Sequence, residues 1–220
     1  MTTLLPYKIF LTDDHILLRD ALATLINNFD EFKVLGVAAD GNELIKSLNS
    51  GVNPDIVILD LNMPGMDGYA TAEWLKKNRP EIKILILTMY DSEVAMIRLL
   101  QTGVRGFLKK DIHPNDLRTA IISVSEDGYY YSYAATGKLA AFFYRNEDGR
   151  SGFERSLLND KEIQFLKLAS TELTYKEIAG KLDLTPRNIE VYRDTLFEKL
   201  DVKSRVGLAI YAVKNGIVIF

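Results

Sequence analysis

Between Tyr7 and about Glu126 the chain repeats one pattern five times: a short apolar run, then a stretch with helical spacing. The runs are YKIFLT (7–12), KVLGVAA (33–39), DIVILD (55–60), IKILILT (82–88) and VRGFLK (104–109). A strand with one wet face alternates apolar and polar residues. A run that is apolar throughout suits a strand buried on both faces. The intervening segments are amphipathic. The first sets Leu17, Leu18, Ala21, Leu22, Leu25 and Ile26 at helical spacing. Five strands and five helices in alternation predict an α/β doubly wound, five-stranded parallel sheet.

After Asp127 this rhythm stops. The aromatic-rich stretch GYYYSYAATGKLAAFFYR (128–145) reads as a further helix, and NEDGRSGFER (146–155) as a flexible linker. Everything beyond is helical. Asn159 with Glu162, and Thr174 with Glu177, have capping-box spacing, and Thr185-Pro186 reads as N-cap and first helical position. The spacing predicts four helices near 160–170, 174–182, 186–200 and 204–215.

Composition narrows the chemistry. The chain has no cysteine, which removes disulfides and cysteine-zinc sites, and its two histidines, His15 and His113, lie far apart. A histidine-based metal site is not expected. No apolar run approaches the roughly 18 residues of a membrane span, and MTTLLPYKIF does not read as a signal peptide. The expected location is cytoplasmic. Charge is uneven: residues 155–220 carry 11 Lys+Arg against 9 Asp+Glu, and the other 154 carry 16 against 21. The mildly basic C-terminal part is a weak pointer to nucleic acid.

In a doubly wound sheet, ligands bind beyond the C-terminal ends of the strands. Asp13 and Asp14 end the first run, Asp60 the third and Thr88 the fourth, while Lys110 follows the fifth. Any one such Asp is ordinarily a turn or helix cap. Together they converge three carboxylates, a hydroxyl and an ammonium on one edge. Clustered carboxylates repel, and a hard cation held by oxygen ligands, Mg²⁺, relieves that. A carboxylate is also a nucleophile towards phosphorus. The cation, Lys110 and Thr88 would then supply the positive charge and hydrogen bonds that a phosphoryl group needs. No glycine-rich phosphate loop or nucleophile elbow is present, so a conventional metabolic enzyme is not expected.

The motifs LTDDH, DLNMPGMDG, LT and GFLKKD make residues 7–127 closely resemble the receiver domain of two-component response regulators. The stretch LNDKEIQFLKLASTELTYKEIAGKLDLTPRNIEVYRDTLFEKLDVKSR makes residues 155–219 resemble the LuxR-type helix-turn-helix output domain. The whole resembles a NarL/FixJ-type response regulator. This implies a flavodoxin-like receiver (1–127), a linker helix and flexible linker (128–154), and a DNA-binding domain (155–220). It also implies roles. Asp60 is the phosphoacceptor, and Asp13, Asp14, Asp60 and the backbone carbonyl of Asn62 hold Mg²⁺, Asp13 through water. Lys110 rather than Lys109 is the family lysine. Thr88 and Phe107 form the switch pair, and Asn62 and Tyr90 tune phosphate loss. The implied partners are a histidine kinase, paired half-sites on double-stranded DNA and, on activation, a second copy of the chain. Apart from its own phosphotransfer and dephosphorylation, the chain is not expected to be an enzyme.

The helix expected at 186–200 buries Ile189, Tyr192, Leu196 and Leu200 and turns Arg187, Asn188, Glu190, Val191, Arg193 and Asp194 outward. A helix-turn-helix lays such a helix in the major groove. Thr185 and Arg187 would meet phosphates, with Lys199, Lys203 and Arg205 as further backbone contacts. Glu190 and Asp194 stand where family members often carry lysine, and Tyr192 where histidine is common. Acids near DNA cost affinity, yet a carboxylate can accept a hydrogen bond from cytosine N4. The final helix carries Ala and Val suited to a dimer seam or to core packing. Two other readings stay open: a DNA binder not gated by phosphorylation, and a phosphate sink or protein-interaction module.

Overall fold

A computed structural model describes residues 6–89, 96, 99–100, 102–131, 136, 158–215 and 217–218. The described residues fall into two compact units. The first is built from β1 (Tyr7–Thr12), α1 (Ile16–Asn27), β2 (Phe32–Ala38), α2 (Gly41–Asn49), β3 (Ile56–Leu59), α3 (Gly68–Asn78), β4 (Lys83–Thr88), β5 (Gly106–Lys109), α4 (Pro114–Glu126) and β6 (Tyr130–Tyr131). The sheet is parallel throughout, in the order β2-β1-β3-β4-β5-β6. Strand order reverses between β1 and β3, the switch point at which such sheets open a crevice.

Both faces of this sheet are covered, as the unbroken apolar runs require. Ile9, Leu11, Ile56, Ile58, Leu85, Leu87 and Leu108 pack with Ile26 of α1 and with Leu117, Ile121 and Val124 of α4. The alternate residues Phe10, Val57, Leu59, Ile84, Ile86 and Phe107 are buried as well, on the opposite face by strand geometry.

Three expectations meet the structure differently. The sheet has a sixth strand. Where a helix is expected from residue 128, the backbone of Tyr130 and Tyr131 instead pairs as a strand with Gly106 and Phe107 of β5. Gly128, at φ +88°, closes off α4, and the Tyr130 N–H donates to the Arg105 carbonyl at 2.8 Å. An otherwise open sheet edge is thereby paired. Apart from Thr136, the rest of that expected helix and the linker at 146–155 lie outside the described residues. Most of the expected helix between β4 and β5 also lies outside them, with helical conformation described at Met96, Leu99 and Leu100.

The second unit has α5 (Asp160–Ala169), α6 (Tyr175–Lys181), α7 (Pro186–Lys199) and α8 (Arg205–Lys214), each within a residue of the span its spacing predicts. Both capping boxes form. Thr185 accepts a hydrogen bond from the Asn188 N–H and caps α7. In the turn before it, Asp183 takes a left-handed φ of 53°, which Asp tolerates better than most residues. Phe165, Leu166, Ile178, Ile189, Leu196 and Leu208 form the core. Among the described residues, no helix is long and apolar enough to cross a membrane.

Phe165 is fully buried, stacked on Tyr175 and packed against a tilted Tyr192 ring. Phe165→Ala is expected to cost about 3–5 kcal/mol, the usual penalty for emptying a packed aromatic site. Urea unfolding followed by Tyr fluorescence and circular dichroism checks it.

Candidate functional site

The strand order decides which side chains meet. β3 lies between β1 and β4, so Asp60 emerges beside Asp13 on one side and Thr88 on the other. Lys110 follows β5, two strands from β3, and reaches back across the edge. Its Nζ lies 2.8 Å from Asp60 Oδ2 and 2.8 Å from Asp13 Oδ2. The side chains of Lys110, Asp13 and Asp60 are 4%, 6% and 3% exposed. This is a buried three-centre ion cluster, not a surface salt bridge. Thr88 is fully buried, and its carbonyl accepts the Lys110 N–H at 2.9 Å.

The loop after Asp60 holds the carboxylate in place. The Leu61 N–H donates to Asp60 Oδ1 at 2.8 Å, and the Asp60 N–H donates to the Thr12 carbonyl at 2.9 Å. The chain then turns through Gly65 at φ +75°, and the Asp67 side chain caps α3 by accepting from the Ala70 N–H. At Gly68 a Cβ would stand 2.2 Å from the Asp60 carbonyl oxygen. Gly68 is therefore a steric requirement for bringing α3 up against the phosphoacceptor candidate.

Burial pushes the Asp60 carboxyl above its ordinary range; the Lys110 hydrogen bond and charge oppose this, and the Asp13 charge reinforces it. For Lys110, burial disfavours the ammonium, but hydrogen bonds to Asp13 and Asp60 outweigh it and hold its pKa above the usual value. The cluster is stable with the lysine charged and sharing two acids.

Ligating atoms of Asp13, Asp14, His15 and Asp60 all lie within 4.8 Å of one another. Three carboxylates with oxygen donors, two of them buried, fit a hard divalent cation. His15 is the member that sequence reading sets aside. Its Nδ1 lies 3.1 Å from Asp13 Oδ1 and 2.8 Å from Asp14 Oδ1. The available signal was its contiguity with the acidic pair rather than pairing with His113. Asn62 is half-buried in the loop after β3, Phe107 is buried at 3% exposure and Met89 is exposed. Tyr90 lies outside the described residues.

In the second unit, α7 presents Arg187, Asn188, Glu190 and Val191 to solvent, and Lys203 follows, also exposed. Thr185 is exposed as well, with its hydroxyl engaged as the cap. Three basic residues that spacing assigns to solvent or DNA are instead used inside the unit. Arg193 folds onto Asp194 Oδ1 (Nε 2.8 Å, Nη2 2.7 Å), over the rings of Tyr175 and Phe197 at 5.4 and 5.8 Å. Lys199 binds both carboxylate oxygens of Glu162 at 2.8 Å. Arg205 donates to the carbonyls of Ala169 and Thr171 at 2.9 and 2.6 Å. The physical reasons differ. Glu162 is a buried capping-box acid and needs a counter-charge. The last carbonyls of α5 lack helical donors, and a guanidinium satisfies them. Tyr192 is half-buried, and its hydroxyl donates to Asn159 Oδ1 at 3.2 Å.

The chain matches two protein-family models: a response regulator receiver domain over residues 9–122, and the luxR family of bacterial regulatory proteins over residues 156–212. The chain belongs to the response-regulator family. This regulator is 33% identical over 214 residues to the nitrate/nitrite response regulator protein NarL of Escherichia coli K12, covering 96% of this chain and 97% of NarL. It is 31% identical over 217 residues to the oxygen regulatory protein NreC of Staphylococcus carnosus, covering 97% and 100%. Its fold is shared with RcsB of Salmonella enterica serovar Typhimurium, solved on promoter rprA with phosphomimetic BeF3⁻. There the TM-score is 0.69 at 23% identity, over 94% of this chain and 98% of RcsB. The regulator thus joins a receiver to a LuxR-type DNA-binding domain. Its function is that of a phosphorylation-controlled, DNA-binding transcription regulator, and its family is not one of metabolic enzymes.

The raised Asp60 pKa has a sign that can be checked without metal. The folded chain keeps a proton that the unfolded chain releases above its ordinary value of 3.8. This contribution therefore favours folding in acid and is lost as pH rises through the folded pKa. Asp60→Asn removes the cost of burying that charge. In chelator-containing buffer at pH 7 the variant is expected to unfold at higher urea than the parent, with the gain vanishing below about pH 4. Equal midpoints at pH 7 would show that the Lys110 pairing offsets burial completely.

Proposed function

We propose that Asp60 accepts the phosphoryl group of a partner histidine kinase, and that this receiver promotes the transfer to itself. One observation carries the reading: Lys110 spans β4 to hold Asp60 and Asp13 together at 2.8 Å. The Asp60 carboxylate attacks phosphorus, the bond from phosphorus to the donor imidazole breaks, and the imidazole leaves with the electron pair. Lys110 is placed to follow the new negative charge from the carboxylate onto a phosphoryl oxygen. The Thr88 hydroxyl, buried at the neighbouring strand end, would take a second oxygen and pair with Phe107 as the switch. The Leu61 N–H fixes the carboxylate rotamer, so that attack needs little reorganisation.

Asp13, Asp14 and Asp60, with the Asn62 carbonyl, would hold Mg²⁺. When bound, the cation supplies charge neutralisation for the incoming phosphoryl oxygens. His15 borders the same pocket. Asn62 and Tyr90, two residues beyond Asp60 and Thr88, would set how fast water removes the phosphate.

On the output side, α7 would enter the major groove, with Thr185, Arg187 and Lys203 on phosphates and Asn188, Glu190 and Val191 towards bases. Arg193 and Lys199 are engaged within the unit, while Asp194 stays on the outer side, paired to Arg193. Activation would pair two copies on paired half-sites. On α8, Leu208 and Ala212 belong to the core, while Val206 and Ile210, one turn apart, are 67% and 51% exposed and remain for a seam.

Incubation with acetyl phosphate and Mg²⁺ is expected to add one phosphoryl group to the native chain and none to Asp60→Asn, read by intact-mass spectrometry. Beryllofluoride is expected to tighten DNA binding of the native chain and leave Asp60→Asn unchanged. Equal binding in both states would mean that the receiver does not gate DNA. Salt titration gives a further check. Lys203→Ala is expected to lower the slope of log affinity against log salt by about one and to weaken all sequences alike.

A further inference from the structure

The second unit carries two acids, Glu190 and Asp194, one turn apart on the outer side of α7. Spacing alone cannot separate their roles. The structure does. Asp194 Oδ1 is taken by both Nε and Nη2 of Arg193, at 2.8 and 2.7 Å, and Arg193 is clamped in turn over Tyr175 and Phe197. Asp194 is therefore committed to a neighbour through Oδ1, although 60% of its side chain stays exposed. The Glu190 side chain is exposed and has no hydrogen bond or ion pair among the described residues. It sits in the N-terminal half of α7, the part of such a helix that meets base edges. Val191, beside it, is 62% exposed, an apolar surface that gains from being covered. Arg187, one turn back, is exposed, with no side-chain partner among the described residues.

We propose that Glu190 is a base-reading residue of α7 and that it selects cytosine in the major groove. The inference rests on α7 being the DNA-reading helix. An ionised carboxylate only accepts hydrogen bonds. Guanine offers acceptors in the major groove, and thymine an acceptor and a methyl group. Adenine offers its donor beside the N7 acceptor, which repels a carboxylate. Cytosine alone presents the N4 amino donor with no neighbouring acceptor on its own edge. Glu190 discriminates mainly by penalty. Opposite any other base, a desolvated acid faces like charge or nothing, in a groove already lined by phosphates. Arg187, one turn away, is placed to meet a phosphate and offset part of that repulsion. Asp194 is a positioning residue: it fixes Arg193 against the helix.

The test is selection from random duplexes with the full chain in beryllofluoride, using the native protein, Glu190→Gln and Asp194→Asn. The native motif is expected to hold a fixed cytosine in each half-site. Replacing it should cost roughly tenfold or more in affinity. Glu190→Gln should move that single position to adenine, which a glutamine amide reads through N6 and N7, and leave the other positions as they were. Asp194→Asn should change affinity for all duplexes alike, with the cytosine kept. A Glu190→Gln protein that retains cytosine, or a native motif without a fixed cytosine, overturns the assignment. If the native chain enriches no duplex at all, the DNA-reading role of α7 itself fails, a result distinct from a motif that ignores residue 190. Because Glu190 is solvent-exposed, unchanged thermal unfolding of Glu190→Gln is expected and serves as the folding control.

Discussion

The contact on which the receiver's architecture turns is Lys110 between Asp13 and Asp60. A charge this deeply buried is costly unless it is paired. Here one ammonium serves two carboxylates, and all three side chains are nearly sealed. The pairing demands that the ends of β1, β3 and β5 lie level and that β4 contribute nothing bulky in between. Parallel register across β1, β3, β4 and β5 provides the first condition, and Thr88 at the end of β4 the second. The same charges that would be a liability in a plain core gather into an acidic pocket whose oxygen donors suit a hard cation.

The neighbouring glycines follow from that demand. α3 must start directly behind Asp60, and Gly68 gives the backbone room to do so. Gly106 does similar work on β5, where a Cβ would stand 3.0 Å from the Tyr130 carbonyl and 2.6 Å from a Leu85 methyl. Without that clearance β6 would not lie against the strand that carries Phe107 and leads to Lys110.

The helical unit solves its own buried-charge problem in a comparable way, with consequences for recognition. Glu162 closes the capping box of α5, is buried, and draws Lys199 out of the solvent. Arg205 goes to the carbonyl end of the same helix and Arg193 to Asp194 and two rings. Structure consumes three cations that a helix-turn-helix would otherwise spend on DNA. What remains on the leading half of α7 is a small mixed face in which the acid is as prominent as the arginine.

Much of this was legible in the residues. Short unbroken apolar runs alternating with helical spacing suit strands buried on both faces, so the doubly wound sheet and the meeting of strand ends followed from local pattern. Capping signals placed the starts of three of the four C-terminal helices to within a residue, because caps are local chemistry between positions at most a turn apart. Tyr130 and Tyr131 were not legible as a strand, since their pairing depends on an open edge of β5 that exists only in three dimensions. His15 escaped for a different reason: its signal, contiguity with Asp13 and Asp14, was local, but it was counted only against the distant His113. Asp60, Thr88 and Lys110 announced themselves by position in the strand pattern. The fates of Arg193, Lys199 and Arg205 did not, because each depends on a partner that tertiary packing supplies. Sequence by itself determined the fold class and the set of charged groups at the strand ends, through periodicity and order along the chain. Tertiary structure alone decided which charges are spent on one another and which stay free for a ligand, because that depends on distances between residues far apart in the chain.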